Sequence, residues 1–337
     1  MVENLLCLTL QERLSFTKPM SKSILVSFIV PYHNEKRELL VRCIGSILAT
    51  DVPEEEREII VIDDGSDSSL EDDIVSLSPG IKYIRQENRG QGEARNRGLS
   101  ECQGEYVQFI DADDMLIASS YKRIVRSLRE EKPDMIVFDY TTNESKADAC
   151  VKTRRTSGSR NMIRHNIKSP VWGYVFRRDI VDGLRFSSDT LTEDEEFTPL
   201  LMLRANKMIV TNEKAYFYRK REESLTTTSD FSKKEKRLND FNKSIAKLHG
   251  IAQGLEGDER KALTRRVEQL AMDYTFNALA LYGADDVFNS KTESLKEIGL
   301  YPLKLRAHTI KYLIFAFVTR TSTGRRMIKH IINNKKK

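Results

Sequence analysis

The chain has few cysteines, and they do not cluster. Cys7, Cys43, Cys102 and Cys150 are the four in 337 residues, with no C-x-x-C among them. That scatter argues against a zinc site or a disulfide framework and fits a reducing compartment. No run of about 18 apolar residues occurs, so no transmembrane helix is expected. The segment from Asn4 to Leu10 is too short and too closely flanked by acids for a signal peptide. A large charge of one sign is missing as well. The net value of +5 does not by itself imply nucleic acid. There is a single tryptophan, Trp172, and no internal repeat.

What remains is 39% hydrophobic and 31% charged, the composition of a polar-leaning globular chain. Its length suits one large domain or a domain with an appendage. Ile24 to Val30 is a continuous apolar, β-branched run closed by Pro31, the pattern of a strand buried on both faces. Leu39, Leu40, Cys43, Ile44, Ile47 and Leu48 recur at helical spacing, which predicts a helix from Glu35 to Thr50. Strands follow at Ile59 to Ile62, Ile81 to Arg85, Tyr106 to Ile110 and Met135 to Phe138. Helices are predicted around Leu70 to Leu77, Gly92 to Glu101 and Tyr121 to Glu130. Alternation of this kind implies a mostly parallel α/β sheet covered on both sides. Thr141 to Arg160 reads as a polar, basic, flexible loop. Leu184 to Phe217 mixes short strands and a helix, and from Phe231 on the chain is helical and charged.

Ligands bind such sheets at the carboxyl ends of the strands. Three strand ends here carry chemistry: Pro31-Tyr32-His33-Asn34, Asp63-Asp64-Gly65-Ser66 and Asp111-Ala112-Asp113-Asp114. Carboxylates two residues apart repel one another, and a divalent cation between them relieves that repulsion. Mg²⁺ and Mn²⁺ are commonly held by one or two carboxylates plus substrate phosphates. Each cluster alone reads equally well as a turn, and an isolated D-x-D more often is one. Together, at one sheet edge, they describe a pocket.

These stretches, in order, resemble glycosyltransferase family 2, inverting enzymes of the GT-A fold that use nucleotide sugars. The matching blocks are Val26 to Glu35, Glu58 to Ser66, Glu87 to Gly98, Gly104 to Asp114, Glu193 to Phe197 and Tyr218-Arg219. The resemblance covers about residues 24–228. It implies a GT-A catalytic domain over 24–230 and a helical C-terminal region over 231–337 with a basic tail. Residues 1–23 are expected to be an extension outside the fold, with 1–19 arising from an upstream start codon before Met20.

The resemblance also implies roles. Asp64 would read a uracil base, with Asp63 supporting the loop or reaching the ribose. Pro31, Tyr32, His33 and Asn34 would line the nucleoside; where the family often has an aromatic residue before the Asn, this chain has His33, which leaves the stacking partner open. Asn88 and Gly90 belong to the donor loop. Arg95 or Arg89 could face the diphosphate; an ion pair with a neighbouring carboxylate is the equal alternative for Arg95. Asp113 would hold Mn²⁺ or Mg²⁺, with Asp111 and Ala112 on the ribose side. Asp194 would be the general base and Glu193 the fallback, although the same acids suit a helix N-terminus capped by Thr192. Asp114, Trp172 and Arg219 fall on the acceptor side, with Tyr174 and Arg177 near them.

The function implied is metal-dependent, inverting transfer of a hexosyl or N-acetylhexosaminyl group. The donor would be a nucleotide sugar, UDP-linked, and the acceptor a hydroxyl of a surface polysaccharide or lipid-linked oligosaccharide. A non-catalytic nucleotide-sugar-binding protein is the rival from another class. A nucleotidyltransferase fits less well, since no Gly-rich basic loop follows the first strand. From Tyr301 to Lys337 there are ten Lys and Arg and no Asp or Glu, around an apolar face of Ile310, Leu313, Ile314, Phe317 and Val318. That pattern suits either a helix packed on the catalytic domain or peripheral contact with the inner face of the cell membrane, in an otherwise cytoplasmic chain. No nucleic-acid partner is expected.

Overall fold

The computed structural model describes residues 23–143, 150–220, 230–283 and 286–334. Most of the expected extension, the Arg221–Ser224 stretch and the last three lysines lie outside these residues.

A nine-stranded sheet forms the centre, in the order β3-β2-β1-β4-β8-β6-β9-β5, with β7 paired to β9. The first half is parallel: β1 (Val26–Tyr32), β2 (Arg57–Asp64), β3 (Ile81–Gln86) and β4 (Tyr106–Phe109). Helices α1 (Arg37–Leu48), α2 (Glu71–Val75) and α3 (Gln91–Glu101) make the crossovers. Every residue of β1 is buried. Phe28, Val30 and Tyr32 pack in one core with Leu40, Cys43, Ile44 and Ile47 of α1, while Ile29 packs in the other, with Ala94 and Leu99 of α3. Gly98 lets α3 approach the sheet, because a Cβ there would lie 2.3 Å from Ile29 Cγ2.

The second half departs from the parallel expectation. After β5 (Met115–Leu116), α4 (Ala118–Glu131) and β6 (Met135–Thr141), the strand β8 (Tyr174–Arg177) enters antiparallel between β4 and β6. The predicted loop from Thr141 to Arg160 contains structure too: β7 (Thr153–Thr156) on β9 (Met208–Phe217), and the start of α5 (Gly158–Arg164). Thr153-Arg154-Arg155-Thr156 has no apolar alternation to reveal it; backbone pairing with β9 holds it there.

Helix α6 (Glu193–Leu203) is followed, past β9, by two long helices, α7 (Phe231–Gly254) and α8 (Gly257–Tyr282), and by α9 (Asp286–Lys291) and α10 (Glu293–Glu297). Two further helices, α11 (Ile310–Val318) and α12 (Ser322–Asn334), complete the described residues. Leu238, Phe241, Ile245 and Leu248 of α7 and Leu263, Val267 and Leu270 of α8 share one apolar core with Phe176, Phe186, Phe197 and Leu201. The C-terminal helices therefore extend the core of the sheet domain.

Candidate active site

The turn after β2 is built around two buried carboxylates. Asp63 Oδ1 accepts the Ser66 N–H at 2.8 Å, and Asp63 Oδ2 accepts the Tyr83 hydroxyl at 2.9 Å. Asp64 Oδ1 accepts from Gln86 Nε2 and the Arg89 N–H, and Oδ2 accepts the Gly90 N–H at 2.8 Å. Asp64 thus shapes the Asn88–Gly90 loop from beneath. Gly65 sits at φ +72°, where a Cβ would lie 2.7 Å from Asn88 N, so the β2 turn and the Asn88–Gly90 loop touch only because this residue is glycine. Ser66 does not cap α2; its Oγ accepts the Asn34 N–H, and Asn34 Oδ1 accepts the Asp67 N–H. Pro31 and Tyr32 are strand residues inside the core, and the Tyr32 hydroxyl donates to Glu35 O. His33 is the exposed ring, with Nδ1 at 2.9 Å from Asp64 O and Nε2 at 3.3 Å from Asn88 Nδ2.

After β4 the chain turns. Asp111 keeps part of its carboxylate open, whereas Ala112, Asp113 and Asp114 are buried. Asp114 Oδ2 accepts the Tyr216 hydroxyl and Oδ1 accepts the Arg219 N–H, both at 2.8 Å. Burial, with Asp111 and Asp113 close by, pushes Asp114 up to about 8. Asp114 therefore ties the turn to the end of β9. Arg219 Nε donates to Asp113 O at 3.2 Å, so this arginine closes over the same turn.

Arg95, on α3, is buried and meets three carboxylates from two other elements. Its Nη1 donates to Glu193 Oε1 at 2.7 Å and to Asp194 Oδ1 at 2.8 Å, and Nη2 lies 3.4 Å from Asp111 Oδ1. Burial alone would lower its pKa; Asp194, Glu193 and Asp111 outweigh that and raise it. Of its two readings from sequence, the ion pair is the one found. Burial pushes Asp194 up to about 7: Arg95 pulls it down, Glu193 and Asp111 push it further up. Thr192 precedes α6 as expected, but makes no capping bond; its Oγ1 lies 2.9 Å from Ser244 Oγ of α7.

A cleft of about 1130 Å³ collects Asn88, Gly90, Arg95, Asp111, Trp172, Glu193 and Asp194 along its wall, with Arg89, Tyr140, Lys168 and Tyr218. Pro31 to Asn34, Asp63, Asp64, Ala112, Asp113, Asp114 and Arg219 stand behind or beside that wall. Trp172 stacks on Tyr216 at 4.5 Å and on Tyr218 at 5.6 Å, with Tyr140 edge-on at 5.2 Å. Tyr174 is buried against Thr198, and Arg177 pairs with Asp134 and Asp179.

The C-terminal helices also reach this wall, which sequence reasoning missed. Lys236 and Arg237 of α7 line the cleft. Arg266 of α8 donates to Ser169 Oγ at 2.5 Å and pairs with Glu195, the neighbour of Asp194. Lys247 of α7 pairs with Glu196 at 2.6 Å. Nothing local signals these contacts: they join residues 51 to 97 positions apart.

Among the described residues no three His, Cys, Asp or Glu side chains converge as a complete metal cage. An ion that keeps substrate phosphates as ligands needs only one or two carboxylates. Asp111, raised by burial and by Asp113 despite Arg95, is the kind of crowded carboxylate that such an ion would relieve. One carboxylate of this kind together with a nucleotide diphosphate would be the donor set suited to Mn²⁺ or Mg²⁺.

Several known glycosyltransferases are similar to this chain in sequence. The glycosyltransferase GlyG of Streptococcus pneumoniae is 26% identical over 227 residues, 61% of this chain and 74% of its own length. GlyA of the same organism is 30% identical over 220 residues, but the match spans only 31% of that protein. Among solved structures, Staphylococcus aureus TarS (residues 1–349, in complex with UDP-GlcNAc) superposes with a TM-score of 0.57 at 20% identity, covering 85% of this chain and 95% of that one. The mannosyltransferase PcManGT of Pyrobaculum calidifontis, in complex with GDP-Man and Mn²⁺, gives 0.53 at 16% identity over 91% of this chain and 84% of that one. The shared architecture is the GT-A fold. The family pattern described as glycosyl transferase family 2 matches residues 27–186. Residues 27–186 therefore form a glycosyl transferase family 2 domain within the chain.

Proposed function

We propose that the chain transfers a hexosyl or N-acetylhexosaminyl group, with inversion, from a UDP-sugar to a hydroxyl of a surface polysaccharide or lipid-linked oligosaccharide. The observation that carries this is Asp194: a carboxylate on the cleft wall, pushed up to about 7 and fixed by Arg95. A base of that strength is half-ionised near neutral pH, where it accepts a proton and still has a driving force to do so.

The acceptor hydroxyl loses its proton to Asp194 as its oxygen attacks the anomeric carbon. The bond from that carbon to the diphosphate oxygen breaks on the opposite face, and the nucleoside diphosphate leaves. Arg95 holds Asp194 through Oδ1 and the Val171 N–H reaches Oδ2 at 3.3 Å, so the carboxylate is oriented before the acceptor arrives. Glu193, more enclosed and bonded to the same guanidinium, balances its charge. Asp113, with Asp111 beside it, would hold Mn²⁺ or Mg²⁺, which supplies positive charge for the departing diphosphate. Asp64 sets the loop that carries Asn88, Arg89 and Gly90 along the diphosphate side of the cleft. Tyr140 and Tyr218, on the cleft wall and packed around the buried Trp172, support an acceptor subsite there, since sugar rings pack against aromatic side chains.

The UDP assignment is supported by the likeness to TarS, whose structure holds UDP-GlcNAc. The envelope-glycan acceptor is supported by relatives such as the poly(ribitol-phosphate) β-N-acetylglucosaminyltransferase TarS and the Bacillus subtilis minor teichoic acid biosynthesis protein GgaB. The setting is cytoplasmic, at the inner face of the cell membrane. No described helix is long and apolar enough to cross a membrane. The test is a screen of nucleotide sugars by thermal shift with Mn²⁺, followed by transfer of a radiolabelled sugar to cell-envelope extract. Stabilisation by UDP-sugars and labelling of a glycan or lipid fraction is the expected result. Binding without any labelled acceptor would favour the non-catalytic alternative.

A further inference from the structure

Helix α11 presents an apolar stripe that none of the described residues covers. Ile310, Leu313, Ile314 and Phe317 recur at helical spacing and are 80, 40, 58 and 68% exposed. On the opposite side Tyr312 and Ala316 are buried, and Phe315 packs toward Phe276 of α8. The helix is therefore properly docked, and the stripe is its outward face rather than a misplaced core. Thr309 caps its start by accepting the Tyr312 N–H at 3.0 Å. Helix α12, which also packs on α8, leaves Met327 and Ile331 exposed.

The charge carried by this C-terminal segment itself is of one sign, although Glu268 of α8 pairs with Arg306 and His308. Between Tyr301 and Lys337 there are ten Lys and Arg and no acid. Lys304, Lys311 and Arg326 are exposed on the described part of this segment. Contiguous exposed apolar surface of this kind marks an interaction site, and a basic rim selects an anionic one. A second copy of the chain would bring two such basic rims together, which opposes pairing.

We infer that α11 and α12 form a docking surface for an anionic phospholipid bilayer, with the α11 stripe entering the headgroup–acyl boundary and the lysines and arginines meeting lipid phosphates. The inference deepens the membrane-side setting proposed above, and it depends on neither the donor nor Asp194. It would hold the enzyme where a lipid-linked acceptor is presented.

The test is flotation of the full chain with vesicles of phosphatidylcholine alone and of phosphatidylcholine mixed with phosphatidylglycerol. Binding is expected only with phosphatidylglycerol and should weaken as salt rises. The double variant Ile314→Asp/Phe317→Asp, and separately Lys311→Glu/Arg326→Glu, should each lower vesicle affinity about tenfold or more. The altered apolar side chains are exposed, so the fold should survive; circular dichroism checks this, and Ile310→Ser is a milder second variant. Failure of the wild-type chain to float with anionic vesicles would overturn the inference, as would undiminished flotation of the Asp double variant. A dimer seen by light scattering and dissolved by that variant would assign the face to a second copy instead. UDP-dependent thermal stabilisation, measured on the same samples, reports on the donor reading separately: its loss in the wild type would remove that reading and leave the flotation result standing.

Discussion

Arg95 and Asp194 meet through a 2.8 Å hydrogen bond across 99 residues of chain. One partner lies on α3, against the parallel half of the sheet; the other lies in the first turn of α6. The bond does two things at once. It offsets the burial of a guanidinium, and it fixes the carboxylate proposed above as the general base.

Replacing that carboxylate tests the base. Asp194→Asn keeps the size and an acceptor for Arg95 but cannot take a proton. Transfer should fall by about 10²–10⁴-fold, the usual contribution of a general base, while UDP-dependent thermal stabilisation stays as in the wild type. A turnover within a few-fold of wild type would remove Asp194 from the mechanism.

The rate should depend on pH with a defined sign. The base works when deprotonated, so kcat should climb as pH rises through about 7 and then level off. Stability moves the other way. Between the ordinary value of 3.8 and about 7, folded Asp194 holds a proton that the unfolded chain has released, so its contribution declines as pH rises across that window. In Asp194→Asn both the rising limb of the rate and this share of the stability slope should vanish; rate–pH profiles and urea titrations at several pH values read them.

Arg95→Met would leave three carboxylates without their cation. Removing one partner of a buried pair typically costs about 3–5 kcal/mol, which denaturant unfolding would register. In the surviving folded fraction the rising limb of the pH–rate profile should move to higher pH, because the cation that lowers Asp194 is gone. Arg95→Lys, which keeps the charge without the fork, should recover part of both. An unchanged limb would separate Arg95 from the base.

The metal assignment rests on Asp113. In Asp113→Ala, stabilisation by UDP with Mn²⁺ should drop to the level seen with UDP and a chelator. If the manganese-dependent increment persists, the ion is held elsewhere.

A chain ending at Asp230 should not fold cooperatively. Phe241, Ile245 and Leu248 complete the core around Phe186 and Phe197, and their loss exposes that surface. A sharp, single thermal transition in the shortened chain would show that residues 24–230 stand alone.

Much of this was legible in the residues. A β-branched run ending in Asp-Asp-Gly-Ser announces a strand and a turn in any context, and β1, β2 and β4 stand within two residues of their expected ends. Asn88, Gly90, Arg95, Asp111, Trp172, Glu193 and Asp194 are each named through the resemblance to glycosyltransferase family 2, and the structure brings them to one cleft. Direction was harder. Asp64 has the composition of a ligand contact, yet its oxygens accept loop amides; a motif states residue type and spacing, not which side of a turn the side chain takes. Tyr32 alternates inward along β1 and leaves the mouth to His33. The reach of α7 and α8 was invisible for a different reason: apolar spacing shows which face of a helix is buried but not what it is buried against. Strand β7, polar on both faces, carries no period at all.

The pairing of Arg266 with Glu195 bears on how such enzymes can be recombined. Residues 27–186 carry the family pattern, so a natural engineering step is to graft them onto another member's C-terminal helices and exchange acceptor preference. The interface would not accept that graft unaltered. The helix that carries Asp194 is anchored from α7 by Ser244 and Lys247 and from α8 by Arg266, each through a specific polar contact. A chimera must carry α6, α7 and α8 as one cassette, with the Ser169 loop beside them, or Asp194, the proposed base, will lose its footing.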